Sequence, residues 1–264
     1  MDLELNAKHV LITGGSKGIG LASARAFLRE GAAVTLVARD RERLAAARQT
    51  LLAEFPQSRV GLQAADLQSA PAALDAIDRA QAELGPIDIL VNSAGAAKRA
   101  PPDELTPRHW HEAMDAKYFT TLHVLDPLVK RMAARGAGVI VNVIGMGGKT
   151  PTSIHLAGGA ANAALMLATA GLASAYGPRG VRINAVNPSS TLTDRLQEGI
   201  AAEARMSGLP VEEVRRRMAA RMPLGRLATP EEVADMIVFL ASARASYVSG
   251  AIISMDGAAV PMVV

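Results

Sequence analysis

The chain has 264 residues, of which 20% are charged, and its formal net charge is +3 at pH 7. It contains no cysteine, which excludes disulfides, thiolate metal sites and cysteine nucleophiles, and no other metal site is predicted. Its basic residues are scattered apart from RRR at 215–217, and no aromatic stacking set accompanies them, so a nucleic-acid partner is not expected. Because the N-terminus also lacks the features of a secretory signal, we expect a soluble, cytoplasmic protein.

Apolar, β-branched runs alternate with helical patterns along the chain. The predicted strands are KHVLIT, AAVTLVA, RVGLQAAD, IDILVNSAG, GVIVNVIG, VRINAVNP and AIISMDG. Parallel strands cannot be joined by tight turns, so this alternation predicts an α/β fold with a mainly parallel, doubly wound sheet and helices on both faces. We expect one Rossmann-type domain over residues 1–264. Residues 189–222 depart from the alternation and are interpreted as an inserted helical lid over the substrate.

Residues 155–177, HLAGGAANAALMLATAGLASAYG, carry no charge after the opening histidine. The segment is long enough to cross a bilayer as a helix. Most of it is Ala, Gly, Ser and Thr, however, which transfer poorly into lipid and favour close packing between helices. The composition therefore predicts a packing helix and not a membrane span.

A glycine-rich turn, TGGSKGIG, follows the first predicted strand and precedes a helix. Gly14, Gly18 and Gly20 are spaced GxxxGxG. Glycine at such a turn lets backbone N–H groups approach a pyrophosphate at a helix N-terminus, where the macrodipole favours negative charge. A glycine triplet alone would fit a simple tight turn, but its place between strand and helix favours nucleotide binding.

The spacing of this turn resembles the pattern TGxxxGxG of the short-chain dehydrogenase/reductase family. NSAG at 92–95 is similar to the family's NNAG, VRINAVNPSS at 181–190 to its VNxVxPG, and the closing segment from PLGRLATPEE to MDGA agrees almost throughout. The resemblance covers nearly the whole chain. It implies a Rossmann fold and a set of cofactor-binding residues: Gly14, Ser16, Lys17, Gly18, Ile19, Gly20, Arg39, Asp66, Leu67, Asn92, Ala94, Gly95, Pro188 and Thr191.

The charge at the end of the second predicted strand bears on the choice of cofactor. An acid there binds the ribose 2′-hydroxyl of NAD, whereas basic residues accept the 2′-phosphate of NADP. Here the acid position is Ala38, followed by Arg39, and Lys17 lies in the glycine turn. Asp40 lies one step further, where it suits a helix cap. We therefore expect NADP(H) rather than NAD. The alternative is that Lys17 and Arg39 are ordinary solvated side chains with no role in cofactor binding.

The family's catalytic residues are a Ser, a Tyr and a Lys, with an Asn upstream. Tyrosine protonates the forming alkoxide, an ammonium lowers the tyrosine pKa, and serine orients the carbonyl oxygen. The motif YxxxK is absent from this sequence. Counting from the flanking motifs gives the residue that stands at each of these family positions. Gly145 stands in place of the serine, Gly158 of the tyrosine, Asn162 of the lysine and Lys117 of the asparagine.

Four residues are therefore candidates for altered chemistry: Lys117, Ser153, His155 and Asn162. Lys117 and Asn162 look like an exchange of the family's Asn and Lys, which would keep an ammonium near the nicotinamide. His155 titrates near neutrality and lies about one helical turn before Gly158, so it would lean towards the tyrosine position. The alternative is that Ser153 and His155 only begin a helix, with Ser153 as its cap.

Three functions stay open on this evidence. The first is an NADP-dependent oxidoreductase that transfers hydride to or from a carbonyl or alcohol with non-standard catalytic residues. The second is an inactive NADP-binding protein that acts as a sensor or an oligomer partner, and a protein that binds no nucleotide is a third alternative. Arginines in the lid suggest an acidic substrate or a solvated helix face: Arg215, Arg216, Arg217 and Arg221. The resemblance also implies a homotetramer or homodimer.

Overall fold

The computed structural model describes residues 1–262 and forms a parallel sheet of seven strands in the order β3-β2-β1-β4-β5-β6-β7. Each predicted strand is confirmed. The strands are β1 (His9–Thr13), β2 (Ala33–Ala38), β3 (Val60–Ala64), β4 (Ile89–Asn92), β5 (Gly138–Val143), β6 (Val181–Pro188) and β7 (Ile252–Met255). Most strand residues are buried on both faces of the sheet, as expected for a sheet covered by helices on each side.

Two helical layers cover the sheet, so the predicted doubly wound fold is confirmed. The helices are α1 (Gly18–Arg29), α2 (Arg41–Glu54), α3 (Ala70–Leu84), α4 (Pro107–Ala113), α5 (Thr120–Arg135), α6 (Leu156–Tyr176), α7 (Asp194–Ser207), α8 (Val211–Ala220) and α9 (Pro230–Ala241). Helices α1, α2 and α9 enclose one core with the sheet, around Phe27, Leu44 and Ile237. Helices α3 and α5 enclose the other, around Ile77, Leu125 and Leu128.

The insertion at 189–222 is helical, as predicted. It comprises α7 and α8, which pack on each other through a small apolar cluster of Ile200, Ala204, Val214 and Leu227. This cluster is separate from the two cores of the sheet, so the helix pair forms a subassembly beside the carboxyl ends of the strands.

Helix α6 with its flanking turns, Ser153–Arg179, is long and apolar enough by length and composition to cross a membrane. In the fold, this helix packs on β6 and on the turn after β5. Its buried face consists of small or aliphatic residues such as Ala157, Ala161, Leu165 and Ala173. Packing against the sheet therefore accounts for the apolar character of this buried face.

Candidate functional site

A cleft with a volume of about 880 Å³ lies at the carboxyl ends of the strands. The chain leaves β1 towards β2 and β3 on one side and returns to β4 on the other, so the strand order reverses between β1 and β4. In open parallel sheets, ligands bind in the crevice at such a reversal. The cleft extends from Arg39, at the end of β2, to His155, at the start of α6.

Backbone geometry at the glycine turn keeps this end of the cleft open. Gly14 has a φ of +67°, in the left-handed region that favours glycine. A Cβ on Gly20 would overlap the carbonyl group of Gly14, so only glycine allows α1 to start this close to β1. The arrangement brings the first N–H groups of α1 to the cleft, where they and the helix dipole favour an anion. The turn thus fits a pyrophosphate.

Cations lie at the end of the cleft beside β2. Lys17 and Arg39 are both exposed and both line the cleft. Asp40 has the role predicted for it, because its side chain accepts the Arg43 N–H at 3.1 Å and caps α2. Ala38 contributes no acid at the position where a carboxylate would repel a 2′-phosphate. This end of the cleft suits a phosphate-bearing ribose.

The structure brings most of the predicted cofactor residues to the cleft. Those that line it are Gly14, Ser16, Lys17, Gly18, Ile19, Arg39, Asp66, Leu67, Ala94, Gly95 and Pro188. Gly20, Asn92 and Thr191 are buried beside it instead. The Asn92 amide donates to Asn142 Oδ1 at 2.9 Å, which joins β4 to β5 below the cleft.

Thr13 is a contributor that sequence reasoning missed. This buried residue ends β1, and its Oγ1 accepts the N–H groups of Ser93 and Ala94, each at 3.1 Å. These bonds hold the turn after β4 against the glycine turn. The sequence signal that could have indicated this role is the polar residue directly before the glycines in TGGSKGIG.

At the other end of the cleft, the imidazole of His155 lies directly over Gly158. A Cβ on Gly158 would be 2.6 Å from His155 Nε2 and 2.8 Å from Nδ1, so any larger residue at 158 would displace the ring. His155 is half-buried and lines the cleft, and among the described residues its Nδ1 has no hydrogen-bond partner. Burial, followed by the charges of Lys117, Arg99 and Arg195, lowers the pKa of His155. The ring is therefore neutral at pH 7.

Lys117 reaches the same end of the cleft from a π-helical turn, Met114–Phe119, inserted between α4 and α5. Such turns often occur at functional sites. Lys117 Nζ donates to the carbonyl oxygen of Ile144 at 3.1 Å, next to Gly145. Burial, with a smaller contribution from Arg195, lowers the pKa of Lys117 to about 8. The side chain is mostly an ammonium at pH 7 but titrates close to it.

Asn162 is buried under the turn that follows β5 and does not line the cleft. Its Nδ2 lies 3.5 Å from the Gly145 carbonyl oxygen, while the Gly145 N–H donates to Asn187 Oδ1 at 3.3 Å. Asn162 Oδ1 has no partner among residues 1–262. Asn162 therefore supports the turn at Gly145 from behind. Its contact with Gly145 links the residues predicted to stand at the family's lysine and serine positions.

Ser153 lies in an exposed 3₁₀ turn, Ser153–His155, and does not line the cleft. It does not cap α6, whose N-cap position is His155. The lid arginines Arg215, Arg216, Arg217 and Arg221 do not line the cleft either. Arg216 and Arg217 pair with Glu213, and Arg215 pairs with Glu212 at 3.9 Å, as in a solvated helix face.

Two other arginines, which sequence reasoning missed, lie close to His155. Arg195, near the start of α7, lines the cleft, and its Nη2 donates to the Ala97 carbonyl oxygen at 3.2 Å. Arg99 is exposed in the loop after β4. Burial and the charge of Arg99 lower the pKa of Arg195, whereas Glu198 opposes that shift. Their proximity depends on two distant loops, so no local motif marks it.

A parallel sheet with a glycine turn at its strand reversal defines the class of dinucleotide-binding α/β proteins. Residues 14–258 match the family model described as enoyl-(acyl carrier protein) reductase. The chain is 37% identical over 250 residues to the cis-4-hydroxycyclohexanecarboxylate dehydrogenase of Sinomonas cyclohexanicum, covering 94% of each protein. It is 33% identical over 260 residues to the D-threitol dehydrogenase of Mycolicibacterium smegmatis, covering 97% of this chain and 94% of that one. The chain belongs to the short-chain dehydrogenase/reductase family.

Solved structures agree with this assignment. L-sorbose reductase from Gluconobacter frateurii, complexed with NADPH and L-sorbose, has a TM-score of 0.92 at 31% identity, over 97% of this chain and 98% of that one. An NADPH-bound short-chain oxidoreductase from Pseudomonas aeruginosa PAO1, described as containing an atypical catalytic center, has a TM-score of 0.86 at 31% identity, over 96% and 97% of the two chains.

Proposed function

We propose that this protein is an NADP(H)-dependent oxidoreductase that interconverts an alcohol and a carbonyl without a tyrosine and lysine pair. The observation that carries the proposal is a single cleft that joins the glycine turn to Lys117 and His155. No tyrosine within residues 1–262 lines this cleft. The proposal includes the assignment that Gly145, Gly158 and Asn162 stand where other family members have the catalytic Ser, Tyr and Lys.

The residues of the cleft fit NADP(H). The glycine turn and the start of α1 would hold the pyrophosphate, Lys17 and Arg39 the 2′-phosphate, and Asp66 the adenine side. The bound cofactor supplies or accepts the hydride. NADPH-bound relatives with the same fold support this choice.

His155 acts as the base in the alcohol-to-carbonyl direction. Its ring is neutral at pH 7 because of the lowered pKa, so it can accept the hydroxyl proton. Loss of that proton and transfer of the hydride from carbon turn the C–O bond into a carbonyl. The reverse reaction returns the proton from the imidazolium to the oxygen.

Lys117 stabilises the negative charge that develops on the substrate oxygen. Of its three N–H donors, one is used by Ile144, which leaves two for the cleft. A partly buried ammonium interacts more strongly with an oxyanion than it would in water. Asn162 supports the turn that carries the Ile144 carbonyl group.

The pH profile of alcohol oxidation tests these roles. We expect kcat/KM to rise as His155 loses its proton and to fall above a pH of about 8 as Lys117 loses its own. Lys117→Met should remove the alkaline fall, and His155→Ala the acidic rise. If NADPH binds tightly but a broad alcohol and carbonyl screen finds no turnover, the protein is instead an inactive cofactor-binding homologue.

Exposed apolar side chains on α6 and in the turn before α5 support a further proposal, that the chain is a homodimer or homotetramer. Leu167 on α6 is 77% exposed and Phe119, before α5, is 43% exposed. Small residues surround Leu167 on the same face of α6, which permits close packing against a second copy. Leu167→Glu should convert the assembly to a smaller one in light scattering, whereas a monomeric native protein would contradict the proposal.

A further inference from the structure

The reaction end of the cleft carries an excess of positive charge. Lys117 and Arg195 line it, and Arg99 is close enough to act on both His155 and Arg195. Among the described residues, none of Lys117, Arg99 and Arg195 forms a salt bridge, since their recorded side-chain bonds go to the backbone carbonyl groups of Ile144 and Ala97. Three cations without a salt-bridge partner therefore lie at or beside this end of the cleft, Lys117 half-buried and the two arginines exposed.

Other acids of the cleft do not neutralise this cluster. Glu112 lines the cleft but accepts from Arg108 at 2.6 Å and lies 3.8 Å from Lys98. Asp115 and Asp194 also line the cleft, but both are exposed and, within residues 1–262, neither forms a salt bridge with Lys117 or Arg195. Like charges that lower one another's proton affinity are costly to hold together unless a ligand anion joins them.

The Arg195 guanidinium keeps donors available for such a ligand. It has five N–H donors in a planar fork, and one of them is used by Ala97. The remaining donors match the two oxygens of a carboxylate, which arginine binds in a bidentate manner. Arg99 would strengthen the attraction from the opposite loop.

We infer that the substrate is a hydroxy or oxo carboxylic acid whose carboxylate binds Arg195, with Arg99 beside it, while its reacting oxygen faces His155 and Lys117. This inference rests on the proposed function, because it names the substrate class of the same site. It also assigns anion binding to Arg195 and not to the α8 arginines, because Arg216 and Arg217 pair with Glu213 outside the cleft.

Ligand binding without turnover tests the inference separately from the chemistry. The NADPH-loaded protein is titrated by calorimetry with cyclohexanecarboxylate and with its neutral counterpart, cyclohexanecarboxamide. We expect the carboxylate to bind roughly tenfold or more tightly than the amide, since charge-assisted hydrogen bonds distinguish the two. Added salt should reduce that preference.

Variants identify the residue that is responsible for the preference for the carboxylate probe. Arg195→Gln should abolish it and leave amide binding intact, Arg195→Lys should keep part of it, and Arg99→Gln should weaken it by a smaller factor. Arg205→Gln is the matched control, because Arg205 is an exposed arginine on the same helix that does not line the cleft. It should behave like the native protein.

Two results with the native protein would overturn the inference: equal affinities for the two probes, or no binding of either probe. Two results with the variants would do so as well. These are equal losses of carboxylate affinity in Arg195→Gln and Arg205→Gln, or an equal loss of affinity for both probes in Arg195→Gln. Failure of the proposed function has a different signature. In that case the carboxylate preference persists, but no carbonyl compound oxidises NADPH and no alcohol reduces NADP+, whether or not the compound carries a carboxylate.

Discussion

The two ends of the cleft are built in different ways. The cofactor end depends on backbone geometry, since Gly14 and Gly20 shape a turn in which N–H groups meet the ligand. The reaction end depends on side chains, where His155 lies over Gly158 and Lys117 comes from a separate π-helical turn. Backbone geometry depends on short-range sequence, whereas side-chain chemistry can be rebuilt by changes at distant positions. The comparison teaches that a short glycine motif is enough to build the cofactor end, whereas the other end needs side chains from separate parts of the fold.

Gly20→Ala should have the largest effect, because the new Cβ would overlap the Gly14 carbonyl group. We expect a loss of NADPH affinity of roughly 100-fold and a destabilisation of about 1–3 kcal/mol from overpacking. Fluorescence titration and thermal unfolding measure both. Gly199→Ala is the control, since a Cβ there meets no atom within 4 Å and helical alanine should be neutral or stabilising. Equal NADPH affinity in both variants would contradict a backbone-defined cofactor end.

Gly158→Ala and His155→Ala test the side-chain end together. Each should lower kcat/KM by roughly 100-fold with NADPH affinity retained, because general base catalysis is worth about that much. The double variant should lose no more than His155→Ala alone, since Gly158→Ala acts by displacing the ring. Steady-state kinetics check the cycle, and fully additive losses would show that Gly158 acts independently of His155.

Arg39→Asp should exchange the cofactor preference at the other end. We expect NADPH affinity to fall roughly tenfold while NADH affinity is unchanged or higher, because a carboxylate repels the 2′-phosphate but can accept from a 2′-hydroxyl. Arg41→Asp is the control, as Arg41 is exposed nearby but does not line the cleft. An unchanged ratio of the two affinities in Arg39→Asp would mean that Arg39 is only a solvated side chain.

The smallest of these effects is the change in folding stability that we expect for Lys117→Met. The folded-state pKa of Lys117 is about 8, below its usual value of 10.5, so the folded protein is penalised for holding the proton. Below pH 8 the variant should therefore be more stable by about 1 kcal/mol, a discounted figure because the side chain is partly solvated. The gain should shrink as pH rises from 8 to 10.5.

Denaturant unfolding at several pH values measures this effect. Lys8→Met, which removes an exposed lysine outside the cleft, should show no such pH-dependent gain. A Lys117 variant that is less stable than the native protein at pH 7 would show that its bond to Ile144 outweighs the cost of the buried charge.

Much of the fold could be predicted because it is encoded locally. Apolar runs between helical patterns located every strand, and the capping role of Asp40 followed from its place between a strand and a helix. Within the site, the glycine turn and the cations at Lys17 and Arg39 were predicted from short motifs, and the cleft contains them. The lean of His155 towards Gly158 followed from helical spacing and agrees with the structure.

Other features were not accessible to the same reasoning. Ser153 was a candidate on sequence proximity, but it is exposed in the 3₁₀ turn before α6 and does not line the cleft. The α8 arginines were candidates on charge, but neighbouring glutamates pair with three of them, Arg215, Arg216 and Arg217. Local sequence does not report which way a turn faces or which pairs form on a surface.

By itself, the sequence determined the order of strands and helices, the glycine cradle and the absence of a YxxxK motif, because each depends on residues close together in the chain. Only the tertiary structure placed the His155 ring on Gly158, brought Lys117 to the Ile144 carbonyl group, and gathered Arg99 and Arg195 beside them. These groups come from separate loops at the carboxyl edge of the sheet. Their spacing is decided by strand order and helix packing, which no local motif encodes.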